Sequence, residues 1–177
     1  MKKIRSELIL SSSAVIVSVC ALFVSISEAH LMKVQQRAIL YPHLEIGPNY
    51  NGEGFSIRVK NAGSGLAVID AFSVNHGDHY FSEWEEVVVH FMGEDHNLGW
   101  DIRRESNINQ TILQPGEERR IFGISWNDES RQLVDSLFKI DYNLQYSSIL
   151  DDHWEINRFY KFPQEIKKVD RSHPQFK

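Results

Sequence analysis

The chain has 177 residues, of which 42% are hydrophobic, with 24 acidic and 19 basic side chains, a net charge of −5 and one cysteine. That length allows one modest domain with an appendage and excludes a two-domain enzyme of the dehydrogenase or kinase type. Residues 1–37 carry +3, residues 38–155 carry −12 and residues 156–177 carry +4. The acidic body repels phosphates, which argues against a nucleic-acid partner.

Apolar residues dominate from Leu8 to Ser27, with no charged side chain among them. Twenty residues in a helix span roughly 30 Å, the thickness of a bilayer's hydrocarbon core. Three readings compete. A transmembrane anchor fits the length. A cleaved signal peptide fits the basic start at Lys2, Lys3 and Arg5 and the small pair Ser27 and Ala29. A lipoprotein signal would need a small residue before Cys20, where Val19 stands. The apolar core of a signal peptide is about 7–15 residues long, so the run favours the anchor, with the lipid bilayer as partner. The positive-inside rule places the N-terminus in the cytoplasm and residues beyond the helix outside a bacterial inner membrane, on a margin of one basic side chain against Lys33 and Arg37. Ser11, Ala14, Ser18, Ala21 and Ser25 recur every three or four residues and share one helix face. Small residues let backbones approach closely in lipid, so this stripe is a candidate seam for self-association. A Ser-rich anchor also produces such stripes by chance.

The helix is expected to continue through residues 28–37, making 1–37 an anchor and exit helix. Pro42 then favours an extended Tyr41, and a two-residue period takes over. Phe55, Ile57 and Val59 alternate with Ser56, Arg58 and Lys60. A turn at Asn61, Ala62, Gly63, Ser64 and Gly65 leads to an apolar run from Leu66 to Val74. Two glycines there suggest positive backbone φ. A phosphate cradle is not expected, because a strand rather than a helix follows. Ser82 and Glu85 have capping-box spacing before a helical stripe of Trp84, Val87, Val88 and Phe91. The Pro115-Gly116 turn leads into a strand from Ile121 to Trp126. Asp128 is a candidate cap for a second helix carrying Leu133, Val134 and Leu137. Ile140, Tyr142 and Leu144 alternate with polar neighbours, and Trp154 to Phe162 returns as a last strand. The fold class read from these elements is mainly β: an N-terminal transmembrane helix followed by an Ig-like antiparallel β-sandwich over residues 38–162, with one or two short inserted helices. Residues 163–177 read as a basic, flexible tail, since no core pattern is visible from Ile166 onward. His173-Pro174-Gln175-Phe176 matches the heart of a streptavidin-binding affinity tag, with different flanks, so native and appended origins both stand.

Several of these segments together resemble a group of bacterial membrane-anchored proteins with no established activity. The shared features are a basic start, one apolar helix, Gln36-Arg37 near its exit, Tyr41-Pro42-His43-Leu44, and the strand-turn motif Asn61-x-Gly63-x-Gly65. Trp84, the Pro115-Gly116-Glu117 turn and Tyr146 through Trp154 also match, so the likeness covers most of residues 1–160. It implies an Ig-like sandwich and no particular chemistry. Leu66 departs from the group, which usually has proline there. Some members carry cysteines near Tyr146, Ser147 and His153; this chain has none there.

Cys20 lies in the anchor, so the body has no intramolecular disulfide, zinc CxxC or catalytic thiol. Histidine is the remaining candidate for metal chemistry: His76, Asp78 and His79 near a hairpin tip, with His90 and His96 further on. Their spacing matches no recognised metal motif, and exposed loops commonly hold His. Glu83, Glu85 and Glu86 suit the positive end of a helix better than acid–base catalysis. No nucleophile elbow, phosphate loop or dinucleotide motif is present. Tyr80, Phe81 and Trp100 fall in expected loops and are candidate partner contacts. The expectation is a non-enzymatic sandwich without a cofactor, serving protein–protein contact or assembly through an unidentified protein partner or through itself. A ligand-responsive membrane effector and a His-based metal enzyme are the alternatives.

Overall fold

The computed structural model describes residues 2–96, 98, 102–104, 108–158 and 162–176. The chain divides into two units, Met1–Ile39 and Leu40–Lys177. The first is a single helix, α1 (Lys2–Ile39). From Leu8 to Ile39 its mean hydropathy reaches 2.4, and none of its apolar window is buried. This helix is long and apolar enough to cross a membrane. The hydroxyls of Ser11 and Ser18 donate to the carbonyls of Leu8 and Ala14 at 3.0 and 2.8 Å. Internal bonds of this kind let serine sit in an apolar helix without an unmet polar group.

The second unit begins with β1 (Leu44–Tyr50), β2 (Gly54–Asn61), β3 (Ala67–His76) and β4 (His79–Phe81). Then come α2 (Trp84–Met92), β5 (Ile102–Arg104), β6 (Ile112–Leu113) and β7 (Glu118–Ser125). The chain ends through α3 (Asp128–Leu137), β8 (Asp141–Ser147), β9 (His153–Asn157) and β10 (Gln164–Ile166). One sheet has the order β1-β2-β7-β5; the other runs β10-β9-β8-β3-β4, with β6 also on β3, and every pairing is antiparallel. The architecture is therefore a helix followed by a β-sandwich. Helix and strand are nearly equal over the chain, at 33% and 34%, because α1 alone is 38 residues long. "Mainly β" holds for the second unit only.

Phe55 and Val59 of β2 are spaced as alternation requires and are buried in one core with Leu144 of β8. Ile69 and Phe72 of β3 both join it, although three residues apart, because the β3–β8 register shifts between Ile69 and Ala71. Trp84, Val87 and Val88 of α2 and Leu133, Val134 and Leu137 of α3 join it. Both helix caps differ from expectation. Glu83, not Ser82, is the N-cap of α2 and makes no side-chain cap bond; instead the Glu86 carboxylate accepts the Ser82 N–H at 2.7 Å. On α3 the cap is Asn127, in a reciprocal box with Ser130, rather than Asp128. Strand β1 escaped the periodicity because Gly47 and Pro48 interrupt it. A proline is tolerated there because β1 is an edge strand.

The Asn61 turn also has a different cause from the one expected. Neither Gly63 nor Gly65 has positive φ; Gly77, Gly93 and Gly116 do. Gly63 and Gly65 are glycines because the segment leading into β1 lies directly on them. A Cβ on Gly65 would land on the Leu40 carbonyl, and one on Gly63 on the backbone of Tyr41, Pro42 and His43. The contact is hydrogen-bonded throughout: the N–H groups of Ser64 and Gly65 donate to the Tyr41 carbonyl (3.0 and 3.1 Å), and Ala62 N–H donates to His43 O (2.7 Å). The Asn61 side chain, fully buried, donates to Gly65 O and Leu113 O and accepts from the N–H of His43 and Gly63. Its backbone bonds the Pro115-Gly116 turn, through Gly116 N–H and Glu117 O.

The C-terminal segment is not outside the core. Strand β10 extends the second sheet, and Asp170 N–H donates to the Gln145 side chain at 2.7 Å. The His173 ring stacks on Tyr80 with centroids 4.5 Å apart. Phe176 is 2% exposed and packs edge-on against Phe72 and Trp84. Its N–H donates to Phe72 O at 2.9 Å, in the stretch of β3 between its pairings with β6 and β4. One aromatic residue with no neighbouring periodicity has no sequence signature of burial.

Two predictions follow from this packing. Gly65→Ala should cost about 3 kcal/mol, the upper end for forcing a methyl into closed packing, whereas Gly116→Ala should cost only the 1–2 kcal/mol, roughly, of a left-handed residue; denaturant midpoints of the two variants in micelles check the order. Phe176→Ala should cost about 3 kcal/mol or more, as for other buried phenylalanines, read as a lowered unfolding midpoint.

Candidate functional site

Four groupings compete for the site. In the histidine cluster, β3 and β4 form a hairpin against α2, which brings His76, His79 and His90 together. His76 Nδ1 and His90 Nε2 are 3.1 Å apart, and the His79 ring lies parallel to His90 with centroids at 5.4 Å. One ring of the bonded pair must donate and the other accept, so the contact needs at least one neutral imidazole. His79 faces Glu86 at 3.7 Å, and His96 pairs separately with Glu85 at 3.5 Å. Asp78 stands on the exposed hairpin turn beside Gly77. The fold thus gathers three of the five sequence candidates and leaves Asp78 and His96 apart. Among the described residues no group of three or more His, Cys, Asp or Glu is arranged to hold a metal ion.

A second grouping was not anticipated. His153 on β9 lies between Asp70 and Asp151, with its Nδ1 at 3.7 Å and its Nε2 at 3.3 Å from their carboxylates. Asp70 sits where the β3–β8 register shifts, a bulge that turns an extra side chain toward the neighbouring strand. Asp70 Oδ2 and His153 Nδ1 are both buried without a hydrogen bond. Ser147 and His153 are directly opposed in the β8–β9 ladder.

The exposed-aromatic expectation fails in part. Phe81 is fully buried in the core, and Tyr80 is half-buried with its ring stacked on His173. Trp100 lies outside the described residues. In the second unit Tyr50, Phe138 and Phe162 are exposed aromatics the sequence did not single out; Tyr50 and Phe138 stack with ring centroids 6.3 Å apart.

The fourth grouping is a cavity of about 150 Å³ between the two sheets. Its walls come from β1 (Ile46), β2 (Phe55, Ile57), β3 (Phe72, Val74), α2 (Trp84) and the end of α3 (Leu137, Phe138). Polar groups enter at Tyr142 and Arg158. The Tyr142 phenol is pushed up from its ordinary pKa by burial, against the opposing pull of the Arg158 charge. Arg158 Nη1 donates to Ile140 O at 3.2 Å and lies 3.8 Å from an Asp141 carboxylate oxygen. An apolar chamber with a few polar groups is the usual form of a small-molecule site. Sequence alone could not have nominated its residues, because apolar residues at alternating positions read as core whether or not they meet a partner. Compared with known proteins, the chain matches no family model, no curated protein and no solved structure.

Elsewhere in the core the Tyr146 phenol is fully buried, accepts the Leu44 N–H and is pushed far above the ordinary phenol range, chiefly by burial. A raised folded-state pKa gives stability that is complete below the unfolded value of about 10 and is lost as pH rises beyond it. Unfolding should therefore become easier above about pH 10, and Tyr146→Phe should flatten that alkaline limb while lowering stability at neutral pH, where the Leu44 N–H loses its acceptor; denaturant titrations at pH 7 to 11 read both.

Proposed function

We propose that this is a single-pass protein of the bacterial inner membrane, with its N-terminus cytoplasmic and a non-enzymatic Ig-like sandwich outside, serving protein contact or assembly. The supporting observation is α1: none of its apolar window is buried, whereas the core helix of a soluble protein would cover such side chains. In a bilayer that surface meets hydrocarbon instead of water. Self-association through Ser11, Ala14, Ser18, Ala21 and Ser25 belongs to the same reading. The internal bonds of Ser11 and Ser18 leave a small and sterically open stripe, as close helix packing in lipid requires. The non-enzymatic reading rests on the absence of nucleophile, phosphate-loop and zinc spacings in the sequence.

A ligand-responsive effector is the second reading, and the cavity between the sheets favours it. In that version ligand occupancy of the sandwich alters how copies of the chain assemble.

The test is a full-length fusion carrying a reporter after Lys177. Retention in carbonate-washed membranes and activity of a reporter that works only outside the cytoplasm are expected. Release from the membrane would favour a cleaved signal, and a fluorescent cytoplasmic reporter would reverse the topology. In the same membranes, Ser18→Leu with Ala21→Leu should abolish crosslinked oligomers; unchanged crosslinking would remove the seam.

A further inference from the structure

We propose that the cavity between the two sheets binds a free short-chain monocarboxylate, the alkyl chain filling the chamber and the carboxylate meeting Arg158 at its mouth. This names a ligand class for the ligand-responsive reading, and it stands independently of membrane topology.

Three observations select that chemistry. First, the walls at Ile57, Phe72, Val74 and Trp84 are hydrocarbon, so the buried part of the ligand is apolar. An alkyl chain seated against these walls gains dispersion contacts along the lining. Second, the volume of about 150 Å³ equals that of an engineered cavity that takes benzene, so the buried part holds about six carbons. A full membrane-lipid chain is too long. Third, Arg158 is the cation of the lining. Among the described residues its bonds run through Nη1, which leaves the Nε–Nη2 edge of the guanidinium. That planar edge matches a carboxylate by two parallel hydrogen bonds. The Tyr142 phenol, neutral at pH 7 as an ordinary phenol is and pushed further up by burial, can donate a further bond. Asp141 at 3.8 Å from Nη1 competes with the ligand for Arg158.

The competition supplies a test that misfolding cannot imitate. The full chain in phosphatidylcholine nanodiscs is titrated with hexanoate, hexanol and octadecanoate by calorimetry, against empty nanodiscs. Hexanoate should bind saturably and hexanol about tenfold more weakly, the loss of a charge-assisted pair. Arg158→Gln should bring hexanoate to the level of hexanol. Val74→Phe should abolish both by filling the chamber. Asp141→Asn should tighten hexanoate several-fold and leave hexanol unchanged. No saturable binding of hexanoate, equal binding of hexanoate and hexanol by the unmodified chain, or tighter binding of octadecanoate would each overturn the proposal. Binding that follows the predicted order but leaves crosslinking unchanged would keep the site and discard the effector reading.

Discussion

The carboxamide of Asn61 is where segments distant in the chain meet. It donates to Gly65 O and Leu113 O and accepts from His43 and Gly63 N–H. A fully buried amide must have partners for its donors and its acceptor, since each unmet group costs about 1–3 kcal/mol. Satisfying all of them in one place draws the segment before β1, the β2–β3 turn and β6 into a single arrangement. The backbone of the same residue adds the turn before β7. Both sheets are therefore joined by polar contacts at this end as well as by the apolar core.

That arrangement explains why two features of this sequence belong together. The Tyr41-Pro42-His43 segment and the Asn61-x-Gly63-x-Gly65 turn are the two sides of one contact. Pro42 keeps its predecessor extended, so the Tyr41 carbonyl can receive two N–H groups from the turn. Glycines without side chains let the two backbones approach to hydrogen-bonding distance. Tyr41 then packs edge-on against Trp154, which stacks on Tyr146. Tyr146 in turn holds the Leu44 N–H, so the start of β1 is fixed from both of its sides.

The opposite edge of the core closes by a different device. Strand β3 is paired with β6 at Ala67 and Val68 and with β4 from Val74 to His76, which leaves the residues between without a strand on that edge. Phe176 occupies this interval with a main-chain bond and an aromatic ring. The basic C-terminal segment also lies along Gln145, whose side-chain carbonyl takes the Asp170 N–H. This contact accounts for a polar residue of β8 being buried on the face where alternation places it toward solvent.

Sequence alone determined the long apolar helix, the strand alternation of β2 and β8, the apolar runs of β3 and β7, the apolar faces of α2 and α3, and the absence of thiol chemistry from the body. These properties depend on residue type and local period, which a linear chain displays directly. Tertiary structure decided what depends on neighbours remote in sequence: why Gly63 and Gly65 are glycine, which of five histidine-region candidates meet, that His153 lies between Asp70 and Asp151, that Phe81 is core and Phe176 with it. It also decided that Trp84, Tyr142 and Arg158 line one chamber. A cavity is a property of the space left between elements, and no local pattern records the gap that remains when two sheets and two helices have been packed together.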